Sequence, residues 1–180
     1  MPEVTLAARF DDCTEILARH DLFSVALYKP KQGSYWMAQD DTAVHWREKS
    51  IMRAILDFEE VPAIRTWVAN KTAALLTASS GSIDAVQGLA RAVPIALTQE
   101  WFGYAHGDPA AMGQWSYWNP MDAFWNQPFD SIIWPDPAAI VHRRELVSVE
   151  MAAYLLALVG TREAEAKLGI HGHDSVSRLV

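Results

Sequence analysis

The chain has 180 residues, 51% of them hydrophobic, and a formal net charge of -7 with a pI near 5.3. That length and apolar content suffice for one globular or partial domain over residues 1–180. The acidic balance excludes nucleic acid and an anionic membrane surface as main partners, since both call for a concentrated basic surface. The lone Cys13 excludes an intramolecular disulfide framework and a cysteine-rich zinc site, and it fits a reducing compartment. The N-terminus has no basic region followed by an apolar run, and the longest apolar stretches are too short or too interrupted to span a bilayer. A cytoplasmic chain is therefore expected.

Val4 to Ala7 alternates weakly and predicts a short N-terminal strand. Asp11, Asp12 and the run to Arg19 predict a helix with Ile16 and Leu17 inward. From Leu22 to Asp41 there is no helical period, and Tyr28, Pro30, Gly33, Tyr35 and Trp36 predict a long irregular loop or hairpin of the kind that is usually functional or disordered. In the next stretch, QDDTAVHWREKSIMRAILDFEEVPAI, a helix stacks His45, Lys49 and Arg53 into one cationic stripe. Asp40, Asp41 and Thr42 offer cap chemistry, and Val44, Ile51, Met52 and Ile55 form the apolar side expected to be buried. The stripe then faces outward, as a solvated basic face or as a seat for an anion.

Pro62 suits the first position of a helix running to about Thr77, which Ser79 to Ser82 ends. The helix expected over Ile83 to Phe102 carries Val86, Leu89, Val93 and Ala96 inward, with a kink at Pro94 and a stop at Gly103. Asp108-Pro109 and Asp136-Pro137 each open a helix with an N-cap and a first-turn proline, the second running to about Leu158 with a weaker tail to Leu168. Of the eight tryptophans, five fall between Trp101 and Trp134, an apolar surface that core, ligand or partner must cover. The fold class is mainly α.

Taken in order, these elements resemble the N-terminal half of the haem-thiolate monooxygenases, the cytochrome P450 family. TLAARFDDCTEILARHDLFSV is similar to that family's short strand, second helix and the Phe-Ser just after it, here Phe23 and Ser24. QDDTAVHWREKSIMR is similar to its third helix, and IDAVQGLARAVPIALTQEWFGY to a later helix with an internal proline and a C-terminal glycine. The resemblance implies haem as cofactor, with His45 and Lys49, the latter where arginine is more usual, on the propionates and Arg53 one turn beyond. It also implies that the Leu22 to Asp41 segment and the stretch from Trp115 to Trp134 line a channel, with Tyr35, Trp36, Trp118 and Phe124 touching a hydrophobic small molecule. Ordinary packing is the other reading of those aromatic side chains.

The other half of the family's chemistry is missing from these residues. No glycine-rich segment surrounds a cysteine, no glutamate is followed by arginine three positions later, and there is no acid-threonine pair of the oxygen-activating kind. Because the axial ligand holds and tunes haem iron, no catalytic residue is assigned, and oxygenase activity is expected only with a complementary, haem-ligating half. An incomplete gene product is one expectation. A haem-free helical module that binds a hydrophobic small molecule, a protein partner or a second copy of itself is another. His171 and His173 in a glycine loop could begin a metal site, and solvent exposure is their more ordinary fate, so no metal ligand is assigned.

Overall fold

Asx and Thr caps, prolines and left-handed glycines set the limits of the helices. The computed structural model describes residues 5–32, 39–127 and 135–180, and all regular structure among them is helical. Residues 5–7 form no strand, since none of the described residues offers the second strand that a ladder needs. Val4 lies outside the described residues.

The chain divides into two compact units, Met1–Met52 with Trp118–Glu145 and Arg53–Tyr117 with Leu146–Val180. The first begins with α1 (Phe10–Ala18), a 3-10 turn (Ala26–Tyr28) and the short α2 (Lys29–Gln32). Part of the segment expected to be irregular is thus helical, with Pro30 in the first turn of α2, where its missing N–H costs nothing. In α1, Ile16 is half-buried and Leu17 is exposed, so the expected inward face is only partly covered and this helix has no buried residue. The helix α3 (Ala43–Ile55) starts where Thr42 Oγ1 accepts from His45 N–H at 3.3 Å. Asp40 and Asp41 take no part in that cap. Asp40 instead accepts from Ser24 Oγ at 2.7 Å and Val25 N–H at 2.8 Å, and these bonds hold its carboxyl below the usual range, while Asp41 pairs with His20 at 3.4 Å.

Pro120 leads from α6 (Pro109–Pro120) into a π-helical turn (Met121–Trp125), closed by Asn126 N–H on Met121 O at 2.9 Å. The last part of this unit is the start of α7 (Pro137–Lys167), where Asp136 Oδ1 accepts from Ala139 N–H at 2.9 Å. α7 is one continuous helix of 31 residues, so the tail beyond Leu158 is part of it, and Gly169 ends it at a φ of +76°.

In the second unit a 3-10 turn (Phe58–Glu60) enters α4 (Val61–Ala78), which has Pro62 in its first turn. Asp84 then caps a π-helical segment (Ala85–Arg91) that continues as α5 (Ala92–Glu100). The expected kink is thus realised as wider turns before Pro94, whose ring nitrogen has no hydrogen to offer the carbonyl four residues back. Val93 is buried, Leu89 and Ala96 are half-buried, and Val86 is exposed. Met112, Trp115 and Leu158 are buried in this unit, with the Trp115 ring 5.3 Å from that of Tyr154.

The C-terminal turn is fastened by Ser175 and Val176 N–H on the carbonyls of Trp101 and Phe102, and by Arg178 on Glu60 (2.7 Å) and the Ile55 carbonyl (3.0 Å). Gly103 lies beneath it with a φ of +82°, and a Cβ there would overlap the Asp174 carboxylate. That carboxylate accepts from Ser177 N–H and Oγ and pairs with Arg162. Changing Gly103 to Ala should cost about 1–3 kcal/mol through left-handed strain and displacement of Asp174. A thermal midpoint equal to that of the unchanged chain would refute it.

Candidate functional site

The third helix covers part of each of its two expected faces. His45, Lys49 and Met52 are half-buried and Ile55 is buried, whereas Val44, Ile51 and Trp46 are exposed. Apolar periodicity marks two faces of a helix, but the neighbouring structure decides which one is covered. Arg53 stays exposed and does not join the covered pair. The stripe expected to face outward thus turns its first two members in.

One member of the pair has unmet bonding capacity. His45 Nδ1 is buried and has no hydrogen-bond partner among the described residues, and such a group costs about 1–3 kcal/mol if nothing satisfies it. The Lys49 ammonium lies 5.4 Å from the centroid of the Trp46 ring, and the His45 and Trp46 rings are 6.3 Å apart. One turn of helix therefore carries a cation and a ring nitrogen able to donate, both suited to a carboxylate.

Of the aromatic residues expected to touch a substrate, Phe124 and Trp118 are half-buried, while Tyr35 and Trp36 lie outside the described residues. Phe124 meets Tyr28 edge-on at 5.1 Å. Tyr28 was visible in the sequence only as one of several aromatics in the irregular segment.

The most organised polar group in the first unit was not anticipated from sequence. Asp122, 2% exposed, accepts from Lys31 Nζ (2.9 Å), Asn126 Nδ2 (2.9 Å) and Arg144 Nε (3.1 Å). Burial pushes its carboxyl pKa up, but the bonds and charges of Lys31, Asn126 and Arg144 outweigh burial and leave it below the ordinary value. Lys31 also donates to the carbonyls of Asp122 and Asn126. A single acid inside an aromatic run just after Pro120 was the only local signal, and Lys31 lies 91 residues away.

In the second unit, Glu60, Glu100, Trp101, His173 and Asp174 line an open cavity of about 240 Å³. Two of its acids are engaged elsewhere, Glu60 with Arg178 and the Trp101 indole and Asp174 with Arg162. His171 and His173 are exposed, and no three His, Cys, Asp or Glu side chains among the described residues are arranged to hold a metal ion. Cys13 sits on α1 with its thiol 3.5 Å from the Ala7 carbonyl. No helix of the described residues is long and apolar enough to cross a membrane. No family model, curated protein or solved structure matches the chain, so the resemblance to haem-thiolate monooxygenases rests on the ordered series of segments alone.

Proposed function

We propose that this chain contributes the propionate side and the hydrophobic substrate channel of a haem-thiolate type oxygenase, whose iron ligand comes from outside these residues. The observation that carries the proposal is the buried, unpartnered His45 Nδ1 one helical turn from Lys49. As a donor, that nitrogen would satisfy one carboxylate oxygen while Lys49 supplies the opposite charge. The tautomer is set by the acceptor that the site awaits. When bound, haem supplies oxygen chemistry governed by its axial ligand. Within this chain the residues bind and orient. His45 and Lys49 hold the acid groups, Arg53 adds a screened charge from the exposed side, and Phe124 and Trp118, with Tyr35 and Trp36, present apolar surface to the substrate.

Spectroscopic haem titration tests this. Changing Lys49 to Glu should weaken uptake at least about tenfold, because a repulsive charge replaces an attractive one on a covered face, and K49R should restore it. Equal affinity in all three proteins would overturn the propionate assignment. The apolar surface favours a second reading, a haem-free module that binds a hydrophobic molecule or a protein partner. Leu146, Val149 and Leu156 on α7 are 54%, 72% and 76% exposed, and Val44, Trp46 and Ile51 on α3 are open as well. Absence of haem uptake together with tight binding of an apolar dye would select that reading.

A further inference from the structure

The segment from Ser24 to Gln32 is tied at both ends. At its start are the bonds from Ser24 and Val25 to Asp40. At its end the Lys31 ammonium engages all three of its hydrogens, on the Asp122 carboxylate, the Asp122 carbonyl and the Asn126 carbonyl. Between these ties Tyr28 covers the edge of Phe124.

The Lys31 tie can part without stranding a charge. Asp122 would keep Arg144 and Asn126, and Asn126 would remain bonded to the Pro137 carbonyl at 3.2 Å. The Lys31 side chain is already 26% exposed, so its charged end can swing into water along its own stem. A buried ion pair usually resists opening because one partner is left bare; here the acid is held by two other donors whichever way Lys31 points. An opening that strands no charge is one physical requirement for a latch.

We infer that residues 24–32 form a strap over Phe124, latched by Lys31 on Asp122 and Asn126, whose release admits an uncharged, aromatic or aliphatic small molecule to the Phe124 surface. The ligand class is dictated by what it displaces, since a molecule that replaces the Tyr28 ring must offer Phe124 an apolar or aromatic contact. The inference rests on the channel part of the proposed function and is independent of haem.

Amide hydrogen exchange and stopped-flow binding of Nile red, both on the full chain, test it. K31M keeps the length of the side chain and removes its charge, while K31R keeps a cation as the folding control. In K31M the amides of residues 26–29, 31 and 32 should exchange at least about tenfold faster, with α4 amides unchanged. Association of Nile red should accelerate and its Kd fall by a similar factor, with dissociation little changed, because the ligand occupies only the released arrangement. K31R should resemble the unchanged chain in both measurements. Unaltered exchange in K31M overturns the latch. Faster exchange with unaltered Nile red kinetics overturns its control of access. Should the unchanged chain bind no Nile red, the channel reading falls and the ligand falls with it, while exchange still reports on the latch and haem titration on the propionate seat.

Discussion

Replacing Trp115 with alanine is expected to lower the stability of the second unit by about 3–5 kcal/mol. The indole is 6% exposed, lies 5.3 Å from the Tyr154 ring and donates from Nε1 to Glu150 at 3.0 Å. Truncation leaves a cavity in the same core as Met112, itself 5% exposed, and removes a charge-assisted bond from Glu150. W115F should cost less, about 1–2 kcal/mol, because it keeps most of the volume and loses only the indole N–H. Urea unfolding followed by far-ultraviolet circular dichroism measures both. A loss below about 1 kcal/mol for W115A would show that this indole does not anchor the unit.

Asp122→Ala should be the most damaging change in the first unit, at about 2–4 kcal/mol near neutral pH. The lower end is set by Lys31 and Arg144, which are 26% and 31% exposed and can find water once their acid is gone. The loss should depend on pH in a defined direction. The folded-state pKa of Asp122 lies below its unfolded value, so its contribution is fully present above about pH 4 and disappears as pH falls through the folded pKa. Unfolding curves of the two proteins should therefore converge below that pH and stay parallel from about pH 5 to pH 8. A gap that persists unchanged at about pH 2 would show that the damage is steric and not ionic.

The helical class and most helix starts were legible because their causes are local. Asp108 and Asp136 cap the helices that begin just after them, and Pro62 and Pro109 sit where a first turn tolerates proline, whereas Asp84, the cap of the next segment, lay inside the expected helix. The N-terminal strand was not legible in the same way, since four alternating residues need a second strand to become a ladder. The orientation of α3 was legible only in part. Met52 and Ile55 are covered as their periodicity suggests, whereas Val44 and Ile51 are exposed and His45 and Lys49 are half-buried, because periodicity marks a face without saying which neighbours cover it. His45 and Lys49 themselves were found by their spacing of four. The unmet bonding capacity of His45 Nδ1, and the gathering of Lys31 and Arg144 on Asp122, belong to packing alone.

The π-helical segment Ala85–Arg91 bears on how this chain tolerates changes in length. An i→i+5 turn holds one residue more than an α-turn, so it behaves as a single-residue insertion absorbed inside a helix. Removing one residue between Val86 and Val93 would convert the segment to ordinary α-helix and leave the residues on either side close to their present faces, because the wide turn is what absorbs the extra residue. The same loss within α4, which contains no wide turn, would shift every later side chain to another face. Shortening by one is thus structurally cheap at Ala85–Arg91 and costly in the neighbouring helix, so the wide turn is a place where chain length can change without a change of face.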